Sequence, residues 1–402
     1  MGGTNGEVLQ QIVDDFNASQ DEIEIKAEYQ GTYDDTIIKL KAAMQSESGL
    51  PDVCQMYDVG TKFMYDSGAV IPVEDKFEST GYDKSSVMDV ISSYYTVEGK
   101  QYAMPFNVST PMLYYNKDVF EAAGLDPETP PTTYDEVLED AKKIVESGAA
   151  PVGYSQAIYG WFFEQQLAGL GVTYGNNDNG RTEAVTAVDF DSNGGGLKVF
   201  DMWKKLYDSG YFEDYGTTTA DTQTAFFSGQ VGMIIESTAI LKNAVDSSPF
   251  EVGTGYLPRI EQNDEGGVII GGGSLWLTDT GNEANEDAAW KFIEYITTPD
   301  VQAKWSMGTG YFAINEKAYE TDDMKAYLEE NPNFMTAINQ LKDSPVNCNT
   351  AGVLSGVQTE ARLTFNEIMP QVYDGKLTTQ DAVDQLAASV NKAIENYNES
   401  IK

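Results

Sequence analysis

Hydrophobic periodicity in the first third of the chain alternates between helical and strand spacing. It predicts helices over residues 8–16 and 37–44 and strands over 23–29 and 53–57. Strands that follow helices in this rhythm indicate an α/β fold, with mostly parallel sheets and crossover helices. Such a sheet would open with a strand before the first helix. None precedes residue 8, so we expect the first strand to be missing from this sequence.

Length and polarity limit the architecture further. With 402 residues the chain exceeds the size at which one hydrophobic core stops growing, about 250–300 residues, so we expect two lobes. No stretch reaches the roughly 18 consecutive apolar residues of a membrane helix. The opening Met1-Gly2-Gly3 has neither a charged region nor an apolar one, so no signal peptide is predicted.

The chain is strongly acidic. Its 25 basic and 64 acidic residues give a formal net charge of −39. This charge repels nucleic acid and anionic lipid, so a nucleic-acid partner is not expected. A solvated acidic surface, suited to the outside of a cell, is one interpretation, and selection for a cationic ligand is the other. An anionic ligand would need a local cation.

The absence of histidine excludes several chemistries. Ser-His-Asp catalysis, Cys-His catalysis and histidine-based zinc sites all require it. A calcium-loop pattern begins at Asp189, but Phe200 stands where the twelfth-position glutamate is required. The glycine run 271–273 lacks dinucleotide-binding spacing. We therefore expect no cofactor, no metal and no catalytic residues, although a carboxylate pair of the glycosidase type stays open among so many acids.

The two cysteines give little guidance. Cys54 lies in a predicted buried strand and is interpreted as a small core residue. Its pairing with Cys348 stays open, because two distant cysteines do not define a compartment.

Polar and aromatic residues stand at the ends of predicted elements. Tyr33 lies just before a helix, Asp58 ends a strand, Ser109 precedes Thr110, and Trp161 follows a glycine. Ligands of α/β sheets bind at the carboxyl ends of strands and at helix N-termini. Each residue alone could equally be a cap, a turn residue or a core aromatic.

Seven segments together resemble a known family. They span the whole chain, in order: YQGTYDD at 29–35, QMYDVGT at 55–61, PFNVSTPMLYYNK at 105–117, GW at 160–161, SGQVGM at 228–233, GGGSLW at 271–276 and TGY at 309–311. The chain resembles the extracellular solute-binding protein family 1 (cluster B) of carbohydrate ABC importers, closest to its glycerol-3-phosphate-binding members.

The resemblance implies an α/β, two-lobed periplasmic-binding-protein fold of type II. Each lobe would be a mostly parallel sheet flanked by helices, with a hinged cleft between the lobes. The N-terminal lobe would comprise residues 1–107 plus 272–310, and the C-terminal lobe 108–271 plus 311–402. The crossings would lie near Asn107, Gly271 and Gly310.

The resemblance also implies a set of ligand-binding residues. These are Tyr33, Asp58, Ser109, Trp161, Ser237, Gly272, Tyr311 and Arg362. The planar guanidinium of Arg362 would hold a phosphate or a vicinal diol, and Asp58 would accept from ligand hydroxyls. Asp58 is one methylene shorter than the family's glutamate, and the Ser237-Thr238 region is not identical, so which hydroxyl binds stays open. An ion pair of Arg362 with Glu360 or Glu367, and core packing of Trp161, are the alternatives.

The implied function is that of a substrate-binding component of an ABC importer. It would capture an oligosaccharide or a glycerol phosphate (glycerol-3-phosphate or its diester) by lobe closure and deliver it to the permease. It would be a monomer and not an enzyme, and would lie outside the cytoplasm, periplasmic or lipid-anchored as a lipoprotein. Arg362 and Ser109 favour the phosphate, whereas Asp58 and the breadth of the family favour sugar. A carboxylate-based glycoside hydrolase and a sensor-linked binding protein are the alternatives.

Overall fold

The computed structural model describes residues 1–46 and 49–401, with the side chain of residue 34 also left aside. The helices are α1 (Gly3–Ser19), α2 (Tyr33–Met44), α3 (Thr61–Asp66), α4 (Val73–Thr80), α5 (Asp89–Ser92), α6 (Lys117–Ala122), α7 (Tyr134–Ser147), α8 (Gly160–Gly169), α9 (Asn176–Gly180), α10 (Gly195–Asp208), α11 (Thr219–Phe227), α12 (Leu241–Ser247), α13 (Glu283–Ile296), α14 (Pro299–Thr309), α15 (Asp322–Glu330), α16 (Asn333–Asp343), α17 (Gln358–Tyr373) and α18 (Thr379–Ser400).

The strands are mostly short. They are β1 (Val53–Tyr57), β2 (Val70–Ile71), β3 (Thr96–Val97), β4 (Lys100–Gln101), β5 (Met104–Ser109), β6 (Pro111–Asn116), β7 (Val152–Ser155), β8 (Val231–Ser237), β9 (Val252–Gly255) and β10 (Gly271–Thr278). Within the described ranges, no helix combines the length and apolar content that crossing a membrane requires.

The chain divides into two units. Unit 1 comprises residues 1–109 and 270–332, and unit 2 comprises residues 110–269 and 333 onward. The third change of unit therefore falls after residue 332, not near Gly310 as the resemblance implied. The segment that follows Gly310 stays with unit 1 because Phe312 N–H donates to the Val108 carbonyl at 3.0 Å. Ala313 and Met324 also join a buried apolar cluster with α14.

Unit 1 is organised around β10. This strand pairs antiparallel with β1 along one edge and with β5 and β2 along the other. The register sets Gly273 opposite both Tyr57 and Asn107. Since β1 and β5 both run against β10, their carboxyl ends meet beside its first residues.

Unit 2 contains a four-stranded sheet in the order β7-β8-β6-β9. The pair β7–β8 is parallel, whereas β6 runs antiparallel to both β8 and β9. The carboxyl ends of β7 and β8 therefore lie at one edge of the sheet, where β6 begins with Pro111 opposite Ser237. Helices α8, α10, α17 and α18 pack together in the same unit.

Two expectations about the sheets are wrong. Among the described ladders β7–β8 is the one parallel pair, so neither sheet is mostly parallel. Periodicity reports which side chains are buried and carries no information about strand direction. The strand predicted over 23–29 is instead an extended segment without a ladder. The side chain of Asn17 bonds both the N–H and the carbonyl of Ile25, at 2.8 and 2.9 Å, in place of a neighbouring strand.

Other expectations are confirmed. Helices α1 and α2 and strand β1 cover the residues where their periodicities placed them. Cys54 is a buried core residue of β1, and burial raises the pKa of its thiol to about 12. Cys54 and Cys348 are both free thiols, so the disulfide that the sequence left open is not formed.

Candidate functional site

In unit 1 the side chain of Asn107 joins two of the expected ligand-binding residues. Asn107 is fully buried in β5, and its Nδ2 donates to the Tyr33 hydroxyl at 2.9 Å. Its Oδ1 accepts from Gln55 Nε2 at 2.7 Å. Burial raises the pKa of Tyr311, and a hydrogen bond with Asn107 partly offsets that rise. Tyr33 and Tyr311, nearly 280 residues apart in sequence, thus share one amide; we call these three residues the Asn107 cluster.

Local sequence fixes the position of Tyr33. Thr32 caps α2 by accepting from the Asp35 N–H at 3.1 Å, while the Asp35 carboxylate accepts from the Thr32 N–H at 2.9 Å. These bonds also lower the pKa of Asp35. The Tyr33 ring then stacks on Tyr57 with centroids 4.9 Å apart, which holds its hydroxyl toward Asn107.

Asp58 lies at the carboxyl end of β1, as the sequence predicted, and is 4% exposed. It begins a tight turn in which its carbonyl accepts from the Thr61 hydroxyl at 2.7 Å. Burial, with the nearby Asp58 carboxylate as a second cause, raises the pKa of Tyr95 above its usual range. A carboxylate at this position is an acceptor for hydroxyl groups.

The glycines at the start of β10 have a packing role. Gly272 has φ +94°, and a Cβ there would lie 1.8 Å from the Asn107 carbonyl oxygen. Glycine is therefore required for the close approach of β10 to β5. A Cβ on Gly273 would lie 2.8 Å from Asn107 Oδ1 and 3.4 Å from the Tyr33 hydroxyl, so the backbone of Gly273 also borders the Asn107 cluster. Ser109, the last residue of β5, is buried opposite Gly271.

In unit 2 the structure distinguishes between the two hydroxyls at the end of β8. Thr238 is 1% exposed, and its Oγ1 accepts from the Thr110 N–H at 3.1 Å. Ser237 is half-buried, and its Oγ accepts from the Ala239 N–H at 3.2 Å. Because Ser237 is the more exposed of the two residues, its hydroxyl is the one more accessible to a ligand.

Next to Ser237 lies a buried carboxyl group that sequence reasoning missed. Glu236 accepts from the Ser237 N–H at 2.6 Å and from Gln223 Nε2 at 2.9 Å. Burial raises the pKa of Glu236 above its ordinary value, and the two hydrogen bonds oppose that rise. The alternation of β8 gave no signal for it, because an acidic residue within an apolar strand usually faces solvent.

Trp161 lies in the first turn of α8, just beyond β7, and is 5% exposed. Its ring contacts Tyr159 and Phe162, with centroids 6.2 and 5.7 Å away. Its indole Nε1 is buried and has no hydrogen-bond partner in the described residues. Trp161 therefore offers a hydrogen-bond donor as well as the apolar face of its ring.

Arg362 forms a buried ion pair. Its Nε and Nη2 donate to the two oxygens of Glu164 at 2.8 and 2.7 Å, and Gln358 Nε2 donates to the same carboxylate at 2.9 Å. The two charged side chains are 9% and 7% exposed. The ion-pair alternative is therefore the observed arrangement, with Glu164 in place of Glu360 or Glu367. Glu164 neutralises the charge that would make Arg362 a phosphate anchor. It lies three residues after Trp161, on the next turn of the same helix, a spacing that could have suggested it.

The expected residues thus group by unit. Five of them belong to unit 1 and border the adjoining ends of β1, β5 and β10: Tyr33, Asp58, Ser109, Gly272 and Tyr311. The other three belong to unit 2: Trp161, Ser237 and Arg362. Of these, Trp161 follows strand β7 and Ser237 ends strand β8, which runs parallel to β7. Such strand ends are where α/β sheets bind ligands. Both units therefore present polar groups suited to holding a small hydroxylated molecule.

Comparison with known proteins assigns the family. Residues 11–336 match the family described as bacterial extracellular solute-binding protein, and the chain belongs to this family. Its members bind solutes and do not transform them, which confirms the expectation of a binding protein of the ABC importer class and an extracytoplasmic setting.

The chain is similar to individual proteins that bind glycerol phosphates and to others that bind sugars. The chain is 30% identical, over 409 aligned residues, to the sn-glycerol-3-phosphate-binding periplasmic protein UgpB of Escherichia coli K12, covering 100% of this chain and 92% of the relative. The cyclic α-maltosyl-1,6-maltose binding protein of Arthrobacter globiformis superposes with a TM-score of 0.82 at 25% identity, covering 98% of this chain and 97% of the other. UgpB of Mycobacterium tuberculosis, in complex with glycerophosphocholine, gives a TM-score of 0.82 at 20% identity, covering 98% and 95%, and supports the fold alone.

Proposed function

We propose that this ABC-importer binding protein captures a neutral carbohydrate in preference to a glycerol phosphate. The proposal concerns ligand class, since relatives of both kinds resemble the chain. The observation that carries it is the buried pairing of Arg362 with Glu164.

A phosphate ligand needs a cation, above all in a protein of net charge −39. The chain has three arginines, Arg181, Arg259 and Arg362. The Nε of Arg181 donates to the Gly352 carbonyl at 3.0 Å, and the charge of Arg362 is compensated by Glu164. Arg362 is the one cation among the expected ligand-binding residues, so this set offers no uncompensated positive charge to a phosphate.

The remaining groups suit a polyhydroxylated ligand. Asp58 is an acceptor for sugar hydroxyls, while Tyr33, Tyr311 and Ser237 carry hydroxyls that donate and accept. The face of Trp161 suits the C–H groups of a pyranose. We propose these residues, with Ser109 and the backbone at Gly272 and Gly273, as the ligand-binding set, and Arg362 as a support for α8. Capture by closure of the two units, which is the behaviour of periplasmic binding proteins as a class, stays a prediction.

The finer expectations belong to the same proposal. We infer that the protein acts as a monomer and delivers its ligand to the membrane subunits of a permease. It would do so either free in a periplasm or anchored by lipid at the outer face of the membrane. Light scattering at several protein concentrations measures the first point, and a mass that doubles with concentration would exclude a monomer.

Isothermal titration calorimetry tests the ligand class. The panel comprises maltotriose, cyclic α-maltosyl-1,6-maltose, D-tagatose, glycerol-3-phosphate and glycerophosphocholine. We expect at least one sugar to bind and both phosphates to bind weakly or not at all. Binding of a phosphate with no sugar bound would refute the proposal.

A matched pair of variants tests where the ligand binds. Ser237→Ala removes the more accessible of the two hydroxyls and should weaken sugar binding by about five- to tenfold. Ser228→Ala, whose Oγ donates locally to the Ala225 carbonyl at 2.9 Å in the same unit, should leave affinity unchanged. Equal affinities in the two variants would remove Ser237 from the site.

A further inference from the structure

Gln156 is a buried amide with one end unsatisfied. It follows β7 directly and is fully buried. Its Nε2 has no hydrogen-bond partner within the described residues. A buried N–H left unpaired loses its hydrogen bonds to water without replacement, so each such group in a native protein requires an explanation.

A chain of buried hydrogen bonds leads toward this amide. Trp203 Nε1 donates to Gln166 Oε1 at 2.7 Å, and Gln166 Nε2 donates to the Tyr134 hydroxyl at 2.8 Å. An indole N–H can only donate. The oxygen of Gln166 must therefore face Trp203, and its nitrogen must face Tyr134.

The hydroxyl of Tyr154 connects these bonds to Gln156. The Tyr134 hydroxyl, which accepts from Gln166, is hydrogen-bonded to the hydroxyl of Tyr154. Tyr154 donates to Gln156 Oε1. The Gln156 oxygen is therefore used by Tyr154, and its NH₂ group is the end without a partner in the described residues. The structure thus places a buried donor without an acceptor directly after β7.

The position of Gln156 indicates what this donor serves. Ser155 pairs with Ile234 in the parallel ladder, so Gln156 leaves the sheet at the edge where Ser237 ends β8. Trp161, five residues further on, carries another buried donor without a partner in the described residues. Two donors without acceptors at one sheet edge are complementary to a ligand that supplies acceptor oxygens.

We propose that Gln156 is a ligand-binding residue whose Nε2 donates a hydrogen bond to an acceptor oxygen of the bound carbohydrate. This inference rests on the proposed function and names a residue that the sequence did not indicate. A hydroxyl or ring oxygen of a sugar supplies such an acceptor. An ordered water at the same place is the competing occupant.

The test compares two fully buried glutamines. Gln156→Glu keeps an oxygen for the Tyr154 hydroxyl and removes the N–H donors, so the Kd for maltotriose should rise about tenfold. Gln302→Glu in α14 is the control, because its Nε2 and Oε1 bond the backbone of Ile296 and Ile314 at 2.8 and 2.9 Å. The control should lower Tm and leave the Kd unchanged.

The outcomes separate this inference from the proposed function. If the wild type and Gln156→Glu bind maltotriose equally well, the partner of the Gln156 amide is a water molecule, and the inference is overturned. If the wild type binds glycerophosphocholine and no sugar, the proposed ligand class fails and the same comparison is made with glycerophosphocholine. If the wild type binds no member of the panel, both fail. Should the variant not fold, the side-chain amide signal of Gln156 in the ¹⁵N spectrum of the wild-type protein must shift on adding the probe, and an unmoved signal refutes the contact.

Discussion

Replacing Arg362 by methionine should destabilise unit 2 far more than the loss of an ordinary ion pair. The substitution keeps most of the side-chain volume but leaves the Glu164 carboxylate buried without its counter-charge. The Gln358 amide, at 2.9 Å, would still donate to it, but it carries no charge. Removal of one partner from a buried pair typically costs about 3–5 kcal/mol, because the remaining charge is left without water and without compensation.

The structure supports a cost in the range expected for a buried ion pair rather than for an exposed one. Both side chains are less than a tenth exposed, so solvent screens the pair poorly. For a unit of this size, about 3–5 kcal/mol corresponds to a fall in Tm of about 6–20 °C. Urea unfolding followed by circular dichroism measures the free energy of unfolding directly.

A double variant separates charge burial from packing. Arg362→Met with Glu164→Leu removes both charges, and apolar replacement of a buried pair is often neutral or stabilising, so most of the lost stability should return. Lys376→Met breaks a pair with Asp374 at 2.7 Å in which both side chains are more than half exposed, and should cost less than about 1 kcal/mol. A cost for Arg362→Met no larger than for Lys376→Met would refute the reasoning. So would a double variant less stable than both single ones.

Three further predictions follow from the geometry. Trp161→Phe retains an aromatic face and removes the indole N–H, so sugar affinity measured by calorimetry should fall several-fold while Tm stays near that of the wild type; a large fall in Tm would mark the ring as core packing only. Gly272→Ala should lose several kcal/mol in urea unfolding because its Cβ would meet the Asn107 carbonyl, whereas Gly281→Ala, with φ +68° and open space, should lose only about 1 kcal/mol. Because burial raises the pKa of Glu236 in the folded state, the unfolded chain loses this proton first as pH rises, and wild-type stability should fall relative to Glu236→Gln above the ordinary pKa of 4.5. A stability difference that is constant from pH 4 to pH 7 would contradict that assignment.

The sequence by itself determined the local structure and the class of protein. Apolar spacing located α1, α2 and β1, because burial of one face is visible in neighbouring residues. The absence of histidine excluded whole classes of catalysis, and the ordered motifs indicated the family that the comparison confirmed. These conclusions depend on residue type and on short spacings, which one sequence contains.

The tertiary structure decided the strand directions and the partners of the polar groups. Nothing local to residues 53–57 or 104–109 shows that both strands run against β10, which comes much later in the chain. Asn107 meets Tyr33 across 74 residues, and Arg362 meets Glu164 across 198. Whether a guanidinium faces a ligand or a carboxylate depends on which helix packs beside it, and packing is a property of the whole folded chain. For that reason the residue types at the candidate site could be predicted, whereas their charge state and hydrogen-bond direction could not.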